Sequence, residues 1–382
     1  MTAPVFAGLV GQDAVVRQLT DAVAGHGMTH AWLFTGPPGS GRSNAARAFA
    51  AALQCAEGGC GSCDSCHQAL SGTHPDVAIV VPEGLHLLIK EAREVIERAS
   101  RAPVRGRWQI TLIEDADRME ERTSNTILKV VEEPPPHGVL MLCAPSIDDV
   151  LPTIRSRCRL VPLVVPSADA VARHLVGTGV DPAMAVFAAR ASQGHIGRAR
   201  RLATDEEARA ERRHVLALPR ALARVDHALA AAKDLYDAAE ADAKALAAER
   251  DDPEREALAT ALGAGATGKG LSGATPRGGA GALKDLERRQ KSRYTRTLRD
   301  ALDRALIDLA AFYRDVLALQ LGTASAPVHV DLTAEAEAMA RSSTPEATLR
   351  RIDAVLACRT AIDENVNPQL AVEAMALALR TR

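Results

Sequence analysis

A glycine-rich turn near the N-terminus constrains the fold more than any other stretch. Residues 35–43 read TGPPGSGRS, and they join the apolar run HAWLF to an alanine-rich helical pattern. Gly36, Gly39 and Gly41 allow backbone N–H groups to turn inward around phosphate oxygens, and the start of the helix adds a partial positive charge. The turn therefore predicts a P-loop, a nucleotide cradle between a strand and a helix.

One position of the cradle departs from the P-loop pattern. Arg42 stands where the pattern has Lys, and Ser43 stands where the hydroxyl that binds Mg²⁺ belongs. Lys acts as a compact point charge on the outer phosphates, whereas Arg is longer, planar and forked, so the exchange is not conservative. The cradle is predicted to form, but its chemistry is altered.

Two carboxylates follow the apolar run ITLI, and their order is unusual. ATP hydrolysis needs acids that hold Mg²⁺ and orient water, normally Asp and then Glu. Here Glu114 precedes Asp115, so the longer side chain crowds the metal and the shorter one falls back from the water. Two interpretations stay open: a degraded nucleotide site, or two solvated carboxylates at a strand end. Binding of ATP with Mg²⁺ stays open too, whereas turnover is disfavoured.

The chain changes character along its length. In residues 1–165, near-continuous apolar runs alternate with helical patterns, which is typical of a buried parallel sheet in an α/β domain. Three short helical patterns follow in 166–205, and 206–382 is all helical in pattern. Residues 263–284 are rich in Gly and Ala and poor in large apolar side chains, so we predict a flexible insert there.

Composition excludes several classes of protein. The 382 residues carry a net charge of −2, so no global attraction to nucleic acid or anionic lipid exists. The sequence lacks the cationic start and following apolar run that are typical of a signal peptide. It also lacks an uncharged apolar run of ~18 residues, the length that a membrane-spanning helix needs. We therefore expect a cytoplasmic protein without a membrane contact.

Four of the seven cysteines cluster within the segment CAEGGCGSCDSC. Cys55, Cys60, Cys63 and Cys66 have the spacing C-x4-C-x2-C-x2-C. In a reducing compartment, such clustering indicates a metal before a disulfide. Four thiolates suit tetrahedral Zn²⁺, so a structural zinc module over residues 55–66 is predicted, with an iron–sulfur cluster and a redox switch as alternatives.

The other thiols and two nearby imidazoles have no assigned role. His67 and His74 lie close in sequence, but four cysteines already complete a tetrahedral site. Cys143, Cys158 and Cys358 are isolated, and we expect them to be packing residues.

Several motifs together resemble a known family. They are GLVGQDAVVRQL, HAWLFTGPPGSGRS, NTILKVVEEPP and LPTIRSRC, with the cysteine module directly after the P-loop helix. This arrangement is similar to the bacterial clamp-loader subunits of DNA polymerase III, well over residues 8–165 and weakly over 366–380. The resemblance implies an AAA+ module of a RecA-like domain and a helical lid, followed by a helical collar.

Departures from the family's ATPase subunits favour its delta-prime branch. Besides Arg42 and the inverted acids, the phosphate-sensing segment reads Ala144-Pro145-Ser146, and the sensing Arg of the lid falls on Gly197. The resemblance implies a ring of five with tau/gamma-type ATPase subunits and a delta subunit. That ring opens a sliding clamp and loads it on primer–template DNA for the DNA-directed DNA polymerase, a nucleotidyltransferase whose active site nothing here resembles.

The SRC motif at Ser156–Cys158 is the remaining candidate site. By itself, Arg157 is a surface arginine between Arg155 and Arg159. The resemblance implies an arginine finger that acts on the ATP of an adjacent subunit. The alternative to this function is an autonomous AAA+ ATPase, either a tau/gamma-type subunit or a DNA motor. A zinc-finger DNA reader is disfavoured, since neither a recognition helix with His ligands nor a basic surplus is present.

Overall fold

The described residues of the chain form two compact units. The first unit comprises residues 1–82 and 86–204, and the second comprises residues 83–85 and 205–382. The computed structural model describes residues 3–82, 84–85, 87, 89–222, 224–261 and 279–380. Each unit is described by itself below.

Five parallel strands build the first unit. They are β1 (Ala31–Thr35), β2 (Val77–Val80), β3 (Gln109–Ile113), β4 (Gly138–Ala144) and β5 (Arg159–Pro162). Their order across the sheet is β2-β3-β4-β1-β5. The C-terminal ends of β1, β3 and β4 therefore meet at one sheet edge, where open parallel sheets bind ligands. This confirms the predicted α/β fold class with a parallel sheet.

Burial explains which strands the sequence revealed. Every residue of β1, β3 and β4 is buried, so these strands appear as continuous apolar runs. The edge strands β2 and β5 are short and partly exposed, and of the two only β2, with the sequence VAIV, is also an apolar run. On one face, Trp32 packs edge-on against Phe49 at 4.8 Å between ring centroids, which adds about 0.5–1.5 kcal/mol to burial alone.

Helices cover the sheet and follow it. Those of the sheet region are α1 (Asp13–Val23), α2 (Arg42–Gln54), α3 (Asp64–Ser71), α4 (Ile89–Ala99), α5 (Glu121–Glu132) and α6 (Pro152–Arg155). Three more, the lid helices, are α7 (Ala168–Gly177), α8 (Pro182–Ala191) and α9 (Ile196–Thr204). The side chains of Ser167 and Asp181 cap α7 and α8, so local sequence fixes both starts.

The second unit contains helices and one short 3₁₀ turn among its described residues. The helices are α10 (Glu206–Ala221), α11 (Val225–Ala261), α12 (Gly279–Gln320), α13 (Thr333–Ser342), α14 (Pro345–Asp363) and α15 (Pro368–Ala378). Its core follows one stripe of α12, where Leu302, Leu306, Leu309, Tyr313 and Val316 are buried at helical spacing.

The structure describes only the last part of the insert that was predicted at residues 263–284. Residues 263–278 lie outside the described residues. The helix α12 already begins at Gly279, so the last part of the predicted flexible segment is helical. The sequence misled here because helix α12 continues into LKDLERRQ, and its good helix formers extend the helix upstream over small residues.

A buried ionic group joins three parts of the second unit. Arg212 on α10 donates both terminal nitrogens to Asp331, at 2.6 and 2.9 Å. The same guanidinium donates to Nδ1 of His329 at 2.7 Å, and Nε2 of that ring donates to the backbone carbonyl of Asp308 on α12. His329 is therefore neutral, with its proton on Nε2. Burial and then the Arg212 charge lower its pKa, while Asp308 and Asp315 oppose the shift.

Acid should weaken the second unit through His329. Its pKa is about 6.5 in the unfolded chain and lower in the folded one, so the unfolded chain binds more protons. Its contribution is complete above about pH 6.5 and falls at lower pH by about 1.4 kcal/mol per pH unit. Urea unfolding at about pH 7 and about pH 5.5 measures this slope.

A matched pair of variants isolates the contribution of that imidazole. His329→Gln keeps one acceptor and one donor but cannot titrate, so its stability should fall less with acid than that of the wild type. His227 is exposed, and His227→Gln should keep the wild-type slope. An unchanged slope in His329→Gln would contradict the assignment.

Candidate functional site

The glycine-rich turn forms the connection from β1 to α2 at the C-terminal edge of the sheet. Gly39 and Gly41 have φ of +87° and +88°, values that favour glycine. Gly41 is the N-cap of α2, so the first N–H groups of that helix open toward the turn. Gly36 donates its N–H to the carbonyls of Ala144 and Pro145 after β4, which ties the turn to the neighbouring strand.

Gly39 also lies against the lid. A Cβ atom at this position would lie 2.6 Å from the Cβ and 2.7 Å from the Cα of His195. His195 precedes α9, and its Nδ1 accepts from the N–H of Arg198. The glycine-rich pattern predicted only a phosphate role for Gly39, and the structure adds a packing role that no local motif indicates.

Arg42 reaches back across the turn instead of pointing out of it. Its Nη1 donates to the carbonyl of Gly36 at 2.6 Å, and its Nη2 lies 3.5 Å from the Asp115 carboxylate. The two terminal nitrogens of the guanidinium make these contacts separately, whereas Lys would offer a single nitrogen. The structure thus brings Arg42 and Asp115 together at the glycine-rich turn.

Glu114 has its own cationic partner, Arg47. The Nε and Nη2 atoms of Arg47 lie 2.9 and 2.8 Å from the same Glu114 oxygen. Sequence analysis missed this residue, although its spacing of four from Ser43 places both on one face of α2. With Arg42 on Asp115, each of the two carboxylates that would serve Mg²⁺ is instead in contact with an arginine of α2.

A cleft remains beside this site. It has a volume of about 400 Å³, and Ser43, Arg47 and Glu114 form its polar wall. Val5, Leu9 and Leu70 contribute its apolar surface. Beneath it lies the thiol of Cys143, whose pKa is raised by burial and by the negative charge of Glu114. The cleft has room for a ligand, but its acid is already paired.

The two sensing positions offer no phosphate ligand. Ser146 caps a 3₁₀ turn: its Oγ accepts from the N–H of Asp148, and its own N–H donates to Asp149. Gly197 lies in the first turn of α9 and has no side chain to contribute. These departures agree with the altered cradle.

The four clustered cysteines converge on one point. Cys55 ends α2, Cys60 lies in the loop, Cys63 caps α3 and Cys66 lies within that helix. Their sulfur atoms all lie within 4.8 Å of one another, and Cys55 Sγ is 3.6 Å from Cys60 Sγ and 3.8 Å from Cys63 Sγ. A tetrahedron with Zn–S bonds of about 2.3 Å has edges of about 3.8 Å. The donor set therefore fits a four-coordinate metal ion.

Backbone N–H groups favour the thiolate form at the start of this cluster. The N–H of Ser62 is the largest of the contributions that lower the pKa of Cys60 to about 6. Burial raises the pKa of Cys55, but the N–H groups of Cys60, Gly59 and Glu57 together lower it by more, so the net shift is downward. Burial raises the pKa of Cys66. A bound cation would favour the thiolate form of that residue.

The remaining candidate ligands lie outside the cluster. His74 is buried, and its Nδ1 accepts from the N–H of Asp76 at 3.1 Å. His67 is exposed on α3. Cys143 and Cys358 are buried, and burial raises the pKa of Cys158 to about 12, so these three are packing thiols without a nucleophile's environment.

Arg157 lies at the opposite end of the sheet from the cradle. It precedes β5, and Arg159 at the start of β5 pairs with Trp32 near the start of β1, whereas the cradle follows the end of β1. At about 3.3 Å per residue, more than about 10 Å separates the two positions, so Arg157 does not serve its own cradle. Its guanidinium is half exposed and contacts Glu132 at 2.9 Å and the Thr153 carbonyl at 2.8 Å.

The two neighbouring arginines, Arg155 and Arg159, contact other groups of the same chain. Arg155 pairs with Asp148 at 2.8 Å. Arg159 donates to the carbonyl of Gly27 at 2.6 Å and lies over the Trp32 ring at 5.5 Å. Arg159 therefore secures the start of β5, whereas Arg155 and Arg157 each form an ion pair at the surface.

Fold and site together define an α/β protein in which a P-loop-like turn joins β1 to α2 and carries Arg at the position of the usual Lys. Comparison with known proteins narrows this class. Two family models match, both described as DNA polymerase III delta subunit: one covers residues 11–166 and the other, its C-terminal part, covers 298–381. The Bacillus subtilis DNA polymerase III subunit delta' is 26% identical over 97% of this chain and 96% of its own length.

Partial relatives and a solved structure complete the comparison. The Mycobacterium tuberculosis DNA polymerase III subunit gamma/tau is 35% identical over 41% of this chain, but the match spans only 28% of that relative. A gamma subunit-related protein from Thermotoga maritima superposes with a TM-score of 0.42 at 14% identity, covering 96% of this chain and 99% of its own. The chain belongs to the DNA polymerase III delta-subunit family and, over its whole length, is similar to a delta-prime subunit, as the clamp-loader resemblance predicted.

The two positive-φ glycines of the cradle make a matched test of the lid contact. Gly39→Ala and Gly41→Ala should each cost about 1–2 kcal/mol, because both place Cβ in a left-handed backbone. Only the first also drives Cβ into His195, whereas Gly41 has open space around it, so Gly39→Ala should lose about 1–3 kcal/mol more. Urea unfolding measures both, and equal losses would contradict the packing role of Gly39.

Proposed function

We propose that the chain is a delta-prime-like subunit of a clamp loader that helps load the sliding clamp on primed DNA, with little ATP hydrolysis of its own. The pairing of both site carboxylates with arginines of α2 carries this proposal. Arg42 contacts Asp115 and Arg47 contacts Glu114, so a Mg²⁺ ion would have to displace a guanidinium from each acid. Because the two arginines neutralise the two carboxylates, the site offers a divalent cation little net negative charge.

The in-trans role of Arg157 is the second part of the proposal. The residue is exposed, lies away from its own cradle, and is held only by groups that phosphate oxygens can replace. Surface ion pairs contribute about 0–1 kcal/mol, so leaving Glu132 costs little. A guanidinium can fork onto the γ-phosphate of an adjacent tau/gamma-type subunit and stabilise the charge that develops there.

The second unit supports assembly into a ring. Helices α14 and α15 bury one face and still expose leucines at spacing i, i+7, namely Leu349 with Leu356 and Leu370 with Leu377. Such unburied stripes on two adjacent helices are typical of protein interfaces. We assign this unit the role of a collar that joins this chain to ATPase subunits and a delta subunit in a pentamer, through which the sliding clamp and DNA are engaged.

The proposed division of the chain follows the sequence analysis. Residues 1–165 would form the RecA-like domain, 166–205 the lid and 206–382 the collar. Among the described residues, no helix combines the length and apolarity that crossing a membrane requires.

An autonomous ATPase is the second candidate, because one observation favours it. The gamma/tau relative matches with 35% identity, higher than that of the delta' relative, and a cleft of about 400 Å³ lies beside Ser43. The arginine pairs at both acids weigh against it, since turnover needs those acids free for metal and water.

The cysteine module should contain a single structural Zn²⁺. Elemental analysis of the purified chain should find zinc, and Cys60→Ser should lose the metal and several kcal/mol of stability, because binding free energy of a structural metal is folding free energy. Cys158→Ser removes a thiol outside the cluster and should retain the metal. Iron with sulfide, or no metal, would contradict the zinc assignment.

Arg157→Ala should slow a neighbour's chemistry without harming this chain. The side chain is half exposed and its contacts are weak, so folding, metal content and assembly should be unchanged. In a complex reconstituted with ATPase subunits, hydrolysis at the adjacent site should fall by about 10³, and clamp loading should be impaired. Single-turnover hydrolysis and a clamp-loading assay measure the two effects.

Arg155→Ala is the matched control for that experiment. It removes a neighbouring guanidinium with a similar ion pair, to Asp148, and should leave both activities close to wild type. Wild-type hydrolysis and loading in the Arg157→Ala complex would mean that Arg157 is an ordinary surface residue.

A further inference from the structure

The loop between α4 and β3 concentrates positive charge in a chain that is slightly acidic overall. We call residues 98–108, RASRAPVRGRW, the basic loop. It carries Arg98, Arg101, Arg105 and Arg107, and no acidic residue follows until Glu114. A local patch of this kind attracts an anionic partner even when the whole chain does not.

A buried carboxylate fixes the conformation of this loop. Asp76, fully buried before β2, accepts the N–H groups of Val104, Arg105 and Gly106, at 2.7, 2.8 and 2.5 Å. Burial raises the pKa of Asp76, but the three N–H groups together lower it by more. The net shift of the pKa is downward, so the carboxylate is ionised. Three charge-assisted bonds to consecutive residues hold the loop in one shape.

The end of the basic loop is also anchored. Gln54, buried at the end of α2, donates to the carbonyl of Trp108 at 2.6 Å and accepts from its N–H at 3.4 Å. Arg107 lies over the Trp108 ring at 5.5 Å, and the ring contacts His137 edge-on. Both the backbone and the aromatic ring are therefore positioned before any partner arrives.

The outer surface of the basic loop is unused by the fold. None of its four guanidinium groups forms an ion pair within the part of the chain that the structure describes, unlike Arg155, Arg157 and many arginines of the second unit. Val104, between the arginines, is 86% exposed, more than any other large apolar side chain among the described residues. A rigid loop that presents charge and an apolar tip without internal partners is organised for contact.

We propose that the basic loop is a docking surface for an acidic protein surface with a shallow apolar depression that receives Val104. Arginine around an apolar anchor is typical of protein interfaces. A nucleic-acid backbone would use the arginines but not the valine, and a stacking base would compete with Arg107 and His137 for Trp108. The loop is distinct from the cradle, the cysteine cluster and Arg157, so the inference does not rest on the proposed function.

Intrinsic fluorescence gives a direct binding test on the full chain. The chain has two tryptophans, and Trp32 is fully buried, so changes on binding report Trp108. The probes are a short acidic peptide with a central leucine, the same peptide with serine in place of leucine, and an oligo-dT of equal charge. The leucine peptide should bind about fivefold or more tightly than the other two, and Val104→Ser should abolish its advantage over the serine peptide.

Variants distinguish binding to the basic loop itself from attraction to positive charge elsewhere in the first unit. Arg98→Gln/Arg101→Gln/Arg105→Gln should weaken peptide binding about tenfold while keeping the Arg107–Trp108 contact. The control, Arg17→Gln/Arg122→Gln/Arg173→Gln, removes three exposed charges elsewhere in the same unit and should have little effect. Asp76→Asn retains all four arginines and should still weaken binding, because it loosens the loop.

Three results would overturn the proposal. If oligo-dT binds as tightly as the leucine peptide and Val104→Ser changes nothing, the surface recognises nucleic acid. If the control triple variant loses as much affinity as the loop variant, only the overall charge matters. If no probe binds at low salt, the loop is not a docking surface.

Discussion

The two ion pairs between α2 and the end of β3 determine the character of this molecule. A P-loop site works when its helix presents a cation to phosphate and its neighbouring strand presents acids to Mg²⁺. Here the same helix supplies two arginines to those acids directly. A terminal nitrogen of Arg47 lies 2.8 Å from the Glu114 carboxylate, and one of Arg42 lies 3.5 Å from the Asp115 carboxylate. The arginines thus neutralise the carboxylates that Mg²⁺ would neutralise in a working P-loop site. The backbone shape of the cradle is kept, whereas its ion-binding groups are already paired.

This arrangement divides the parallel sheet between two roles. The C-terminal edge keeps the cradle, where Gly39 is now needed against His195 of the lid. The N-terminal edge carries the groups directed outward, Arg157 before β5 and the basic loop before β3. Under the proposed in-trans role, an intact SRC motif can accompany an altered P-loop, because Arg157 would act on a neighbour's nucleotide.

Much of this was predictable from sequence because the informative features are local. Buried central strands give continuous apolar runs, a P-loop has fixed spacing, and four cysteines within twelve positions define a metal module. What could not be predicted depends on contacts distant in sequence. Arg47 meets Glu114 across 67 positions and Asp76 meets the basic loop across about 30. The positions of β2 and β5 at the two edges of the sheet likewise depend on pairing between distant segments, which no local pattern shows.

Steady-state ATP hydrolysis by the isolated, metal-loaded chain tests the central claim most directly. We expect no turnover above background at saturating ATP and Mg²⁺, and no gain from Arg42→Lys, because Arg47 still holds Glu114 and both sensing positions lack ligands. Turnover of ~1 s⁻¹, at the low end of ordinary enzyme rates, would contradict the claim and identify the chain as an autonomous ATPase.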